Sequence, residues 1–196
     1  MPLSSDDESL VRAAIDGTPG AMDRLCARWL PDVVSWGLRL GGPKVDAEDV
    51  AHDVWIVVFR RLGSLDEPRA FPAWLYGITR KTVAGHRRKA WVRRWLPGAV
   101  PERADERVPN NPHEMAHQHE VAREIWLALD DLRPHHREIL VLCDLEERPD
   151  SEVSDMLGVP KGTVKSRLRR ARKELRARVS ALAQAELPDW GGEESR

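Results

Sequence analysis

The sequence predicts an all-α protein of two small helical domains joined by a flexible linker, the C-terminal domain closing in a helix-turn-helix. Three observations carry this reading. Apolar residues recur at steps of three and four through residues 1–96 and again through 121–182, the period of helices with one buried face. Between them, residues 97–120 (PGAVPERADERVPNNPHEMAHQHE) are polar, proline-rich and aperiodic, the composition of a tether. Finally, Gly158, Val159 and Pro160 break the chain ahead of a strongly basic helical segment. A short helix, a three-residue turn and a longer basic helix form the pattern whose second helix enters a DNA major groove.

Taken in order, Leu10, Val11 and Ala14 predict a short opening helix that closes near Gly17. A second helix starts around Thr18 and Pro19, with Ala21, Leu25, Trp29, Val33, Trp36 and Leu40 on one stripe, and ends at Gly41-Gly42-Pro43. Asp46 is the expected N-cap of a third helix, with Glu48 and Asp49 in its first turn, where the helix dipole favours acids. This helix is expected to bury Val50, Val54, Val57 and Leu62 and to present Asp49, His52 and Asp53. After the turn-like GSLDEPRAF, a fourth helix carries Phe71, Trp74, Leu75, Ile78 and Val83 into a cationic stretch.

Beyond the linker, Val121, Ile125, Leu129 and Leu132 form one stripe ending before Pro134, and Ile139, Leu140, Leu142 and Leu145 form the next. Pro149, Asp150 and Ser151 supply a turn and a cap for a short helix with Val153 and Leu157 inward. Ser154 is small where two helices must approach closely. In the basic helix, Val164, Leu168, Ala171 and Leu175 make the inward stripe, and the other faces carry cations.

The net charge of −1 conceals a strong partition. Residues 80–94 hold seven cations and no acid, and residues 161–178 hold nine cations and one acid, Glu174. Two compact basic patches in separate halves suit a chain that touches nucleic acid at two places. In the first patch, aromatic residues lead into the cations, as in grooves for single strands where rings stack on bases and cations track phosphates. Taken singly, Phe71 and Trp74 also fit a core, because aromatics at helical spacing pack inward.

Composition excludes several classes. With 196 residues and 41% hydrophobic content the chain can bury a core. It has no apolar run of eighteen residues, and the acidic start MPLSSDDESL lacks the features of a secretory signal, so a cytosolic protein is expected. Cys26 and Cys143 stand alone among apolar helical residues, which suits core thiols and not a disulfide or zinc framework. His113, His117 and His119 invite a metal reading, yet only the first two would share a helical face and no cysteine lies nearby. No metal, cofactor or catalytic residue is therefore expected, there being no phosphate-binding glycine loop, paired nucleophile or carboxylate pair.

Four segments together resemble a known family: LVRAAIDGTPGAMDRL near the start, DAEDVAHDVWIVVFRRL at 46–62, FPAWLYGITRKTVAGHRRK at 71–89, and LRPHHREILVLCDLEERPDSEVSDMLGVPKGTVKSRLRRARKEL at 132–175. In content, order and separation they are similar to the compact extracytoplasmic-function (ECF) sigma factors of bacterial RNA polymerase. The resemblance implies that 1–96 is sigma region 2, 97–120 a linker, 121–182 sigma region 4 and 183–196 a tail. It implies an alternative sigma factor that binds the β′ clamp helices and β flap of core RNA polymerase and directs initiation at particular promoters.

Residue by residue, the resemblance makes Asp49, His52 and Asp53 candidates for polymerase binding, with His52 standing where the family usually has Gln. Arg69, Phe71, Trp74, Arg80, Lys81, Arg87 and Arg88 fall in the part that recognises and melts the minus-ten element, where a non-template base is flipped into a pocket. Lys81 and Gly85 depart from the family's usual Asn and acid, so the minus-ten sequence does not carry over. In the minus-thirty-five reader, Lys165, Ser166, Arg169 and Arg170 match positions that approach bases, and Lys161, Arg167, Arg172 and Lys173 suit phosphates. The resemblance further implies an anti-sigma partner. Two rival readings differ in what they predict: a stand-alone helix-turn-helix regulator binds duplex by itself, usually as a symmetric dimer, and a metal nuclease using the three histidines loses its activity to chelators.

Overall fold

The computed structural model describes residues 4–93 and 125–185, and among these all regular structure is helical. The whole linker 97–120 with its histidines at 113, 117 and 119, Val121 and the tail from 186 lie outside the described residues. No helix described is long and apolar enough to cross a membrane.

In the N-terminal domain, α1 (Ser5–Ile15) begins where the Ser4 hydroxyl accepts the Asp7 amide at 3.0 Å. Gly17, at φ +72°, ends the run in the left-handed region that glycine reaches without strain. The long α2 (Ala21–Gly41) starts two residues later than expected, because Thr18 and Pro19 belong to the turn before it. Its predicted stripe is fully inward: Ala21, Leu25, Trp29, Val33, Trp36 and Leu40 are all buried. On α3 (Ala47–Arg61) the Asp46 carboxylate accepts the amides of Glu48 and Asp49. After turns at Leu62–Ser64 and Pro68–Ala70, α4 (Phe71–Arg93) packs across α2 and α3.

One expectation on α3 is corrected. Val57 is half-buried, and the inward stripe is Val50, Val54 and Val58 with Ala51 and Trp55 beside it. A step of four from Val50 keeps facing α2, and Val57 is rotated off that line.

In the C-terminal domain, a helix at 125–130 (α5) is followed by α6 (Pro134–Leu140), which continues into a π-helical turn over Val141–Leu145. The i→i+5 bond from Glu146 N–H to Val141 O, at 3.0 Å, inserts a residue into the helical period. That shift buries Val141 and Leu142 and turns Leu145 outward, against the expectation of an inward Leu145. Ile125 is likewise exposed, whereas Leu129 and Leu132 are buried.

The short α7 (Asp150–Leu157) and the long α8 (Lys161–Ala185) form the helix-turn-helix. Pro149 occupies the cap position of α7, with no side-chain cap from Asp150 or Ser151. Gly158 closes α7 at φ +63°, and the Ser154 hydroxyl donates to Val159 O at 2.6 Å, tying the turn to the helix before it. Met156 is buried, with Leu157 and Leu168 partly so. Cys26 and Cys143 are half-buried thiols, and burial pushes Cys143 up to about 11.

Candidate nucleic-acid interface

The basic helix α8 is anchored along one side. Val164 and Ala171 are fully buried, with Leu168 and Leu175 packed against the same core. The far side carries Lys161, Lys165, Arg169, Arg170, Arg172 and Lys173, all exposed, with Ser166 and Arg167 half-buried between the two faces. Lys161, Arg169, Arg170 and Lys173 have no acid within ion-pair distance among the described residues. Unpaired cations in a row on a rigid helix suit a polyanion, since no internal partner must be given up.

Other α8 side chains hold the helix in place. The Arg172 guanidinium grips Asp144 through two bonds, 3.0 Å and 2.6 Å, which raise its pKa and tie α8 to the π turn. The Ser166 hydroxyl turns back to Thr163 O at 3.1 Å, and Lys165 lies 3.9 Å from Asp150. Glu174, the one acid in this stretch, is held by His136 at 2.5 Å and Arg133 at 3.2 Å. Slight burial acts to raise its carboxyl, but these hydrogen bonds outweigh it and hold the group below the usual range. Glu174 thus ties α8 to α6, with Arg178 of α8 also 3.9 Å from its carboxylate.

The minus-ten candidates divide differently. Phe71 is a correction: it is fully buried, its ring edge-on to Trp29 at 5.6 Å, and no base can stack on it. Trp74 beside it is half-buried. Lys81 and Arg88 are exposed. Arg69 is exposed and pairs with Glu8 at 3.0 Å. Arg80 lies 3.4 Å from Glu138, and Arg87 bonds Gly41 O at 2.9 Å and Asp130 at 2.5 Å. Both of those acids belong to the C-terminal domain.

On α3, Asp49 and His52 are exposed, and Asp53 is half-exposed with its carboxylate 2.8 Å from His86 Nε2. The spacing of four between Asp49 and Asp53 places them one above the other on a single face, with His52 beside them. Among the described residues no three metal-ligating side chains are grouped.

The residues that sequence reasoning missed are those joining the domains. Arg137, 3% exposed, donates to Leu129 O, to Asp130 O and, across the interface, to Leu40 O at 2.8 Å. Its position between His136 and Glu138 gives no periodic signal of burial. The same is true of Arg39, 3.3 Å from Glu146, and of Arg148, whose guanidinium sits 5.7 Å from the Trp36 ring centroid.

Comparison with known proteins matches both halves. Residues 25–93 match sigma-70 region 2 and residues 128–177 match sigma-70 region 4, so the two helical domains and their helix-turn-helix define a sigma-70-type transcription initiation factor. The chain is 36% identical over 183 residues to the ECF RNA polymerase sigma factor SigE of Mycolicibacterium smegmatis, covering 89% of this chain and 69% of that protein. Among solved structures it is similar to CnrH, a sigma factor of Cupriavidus metallidurans, in complex with the cytosolic domain of CnrY (TM-score 0.64, 26% identity, 92% of this chain and 99% of that one). A fold likeness extends to RpoE of Bartonella quintana, solved with the anti-sigma factor NepR (TM-score 0.59, 22% identity, 82% and 98% coverage). The chain belongs to the ECF family of RNA polymerase sigma factors, and it is an alternative sigma factor that directs transcription.

Proposed function

We propose that this sigma factor works by positioning alone, in the cytoplasm, with its two domains holding different forms of one promoter. The α8 face reads the duplex minus-thirty-five element, with Lys165, Ser166, Arg169 and Arg170 toward bases and Lys161, Arg167, Arg172 and Lys173 toward phosphates. The α4 cations Arg80, Lys81, Arg87 and Arg88, with Arg69 and Trp74, take the separated minus-ten strand. Asp49, His52 and Asp53 dock on the β′ clamp helices, the region 4 domain meets the β flap, and residues 97–120 bridge the two sites. The chain makes and breaks no covalent bond; nucleotide joining belongs to the polymerase. An anti-sigma factor restrains it by covering the polymerase-binding surfaces.

The observation that carries this reading is the row of unpaired cations on α8, fixed in direction by the buried Val164 and Ala171. Run-off transcription with core polymerase and a genomic promoter library is expected to yield discrete start sites that share an upstream element. Random starts, or none, would remove the reading.

Base readers and phosphate contacts separate by their effect on choice. Arg169→Ala is expected to weaken discrimination at the upstream element by about 1–3 kcal/mol. Lys173→Ala should weaken cognate and scrambled DNA alike. Equal losses on both DNAs for both variants would overturn the assignment.

A further inference from the structure

We propose that Trp91, at the C-terminal end of α4, is a base-stacking residue that takes one unpaired nucleotide of the melted promoter strand. The inference rests on the strand-capturing role given above to α4, and it adds an aromatic platform at the far end of that helix.

Of the rings expected ahead of the α4 cations, Phe71 is fully buried and Trp74 half-buried, their centroids 6.0 Å apart. Of the six tryptophans in the described residues, Trp29, Trp36 and Trp55 are buried, and Trp74 and Trp126 are half-buried. Only Trp91 among them is exposed, at 60%. Burial of an indole is among the largest apolar gains a side chain offers, and the folded chain leaves most of this one unused. Val92 beside it is 45% exposed.

The surroundings of the ring point to its ligand. Lys81, Ala84, Arg88 and Trp91 follow at steps of three or four and all are exposed, so they share the outward face of α4. Arg80 and Arg87 lie against Glu138 and Asp130, but Lys81, Arg88 and Lys89 have no acid within ion-pair distance among the described residues. Residues 80–94 hold no acid at all. An apolar ring set in cations of one sign fits a ligand that is both anionic and aromatic, which a nucleic-acid strand is. Between the cations the floor of the face is low. A Cβ built on Gly77 or Gly85 would meet nothing within 4 Å, so packing requires glycine at neither place, although glycine weakens a helix. A nucleotide can therefore lie close to the helix backbone.

The ring favours an unpaired strand over a duplex. Paired bases are stacked on their neighbours and show only their edges in the grooves, whereas an unpaired base has a face to give to an indole. Trp91 lies ten residues beyond Lys81, about 15 Å along the helix, a length of about four stacked nucleotides. Cations hold the phosphates along this track, and Trp91 pins a base at its end, next to the start of the linker.

The test uses holoenzyme formed from core polymerase and the full chain. The template is a fork made from a promoter found by run-off transcription, with an upstream duplex ending in an unpaired non-template strand. Iodouracil, which cross-links under light to an aromatic ring stacked on it, is placed at successive positions of that strand. One position is expected to cross-link to Trp91. Trp91→Leu keeps an apolar side chain without a π face, and it should lose that cross-link and weaken fork binding by about fivefold or more. Trp91→Phe should keep the cross-link and stay within about threefold of the wild type. Leu38→Ala, at a 55% exposed position on α2, should change neither. Binding to a fully paired upstream duplex, and to core polymerase without DNA, should stay within about twofold for every variant.

Absence of a Trp91 cross-link from every position, or equal fork binding by Trp91→Leu and the wild type, would overturn the assignment. An equal loss on paired duplex would overturn it too, and a loss of core polymerase binding without DNA would make the indole a protein-docking point instead. Run-off transcription by the wild type is scored separately. Discrete start sites with fork binding unchanged in Trp91→Leu sink the stacking role alone, whereas no discrete start sites sink the functional reading and this inference with it.

Discussion

Trp36→Ala is expected to destabilise the N-terminal domain by about 3–5 kcal/mol, a large part of the stability of an ordinary small domain. Trp36 is fully buried, its ring edge-on to Tyr76 at 5.2 Å and 89°, with Arg148 over its face at 5.7 Å. Truncation removes the transfer energy of the indole, leaves a cavity that packed helices cannot collapse into, and forfeits an aromatic pair that contributes about 0.5–1.5 kcal/mol beyond its area. Trp36→Phe keeps an aromatic ring and much of the volume, and it should recover more than half of the loss. Leu30→Ala, at a 40% exposed position on the same helix, should stay within about 0.5 kcal/mol. Equilibrium urea unfolding checks all three. A loss below about 1.5 kcal/mol for Trp36→Ala would mean that the domain is not organised around this pair.

The second large effect falls on assembly. Asp49→Arg with Asp53→Arg is expected to weaken core polymerase binding at least thirtyfold, about 2 kcal/mol or more, since each carboxylate that pairs across a docked interface becomes a like-charge clash. The fold should survive. Asp49 is exposed, and the Asp46 cap that starts α3 does not depend on its side chain. Asp53 is half-exposed, so loss of its 2.8 Å contact with His86 removes a surface pair worth little. His86→Asn alone isolates that contact and should leave polymerase binding within a few-fold. A core-binding titration in which the double reversal matches the wild type would place the docking surface elsewhere.

How much was legible in the sequence depended on whether one physical rule governed a residue. The α2 stripe from Ala21 to Leu40 was read without error because a long amphipathic helix has only one way to bury six apolar positions. The α8 division into an apolar seam and a cationic face was equally plain. Phe71 went to the core, as its helical spacing alone suggested, and its resemblance to a strand-contacting position did not prevent that. Leu145 was misplaced because a single i→i+5 bond, which side-chain identity does not announce, rotated the end of α6.

Composition and periodicity by themselves determined the all-α class, the two domains, the helix-turn-helix and the two basic patches. Burial of apolar faces and clustering of charge are local properties, written into every few residues. Only the tertiary structure decided which cations stay free and which are matched. Lys161, Arg169 and Arg170 face outward, whereas Arg80, Arg87 and Arg137 meet Glu138, Asp130 and the Leu40 carbonyl from sequence positions 43 to 97 residues away. An arginine's charge is fixed by its chemistry, but its partner is fixed by the path of the whole chain, and no local period carries that information.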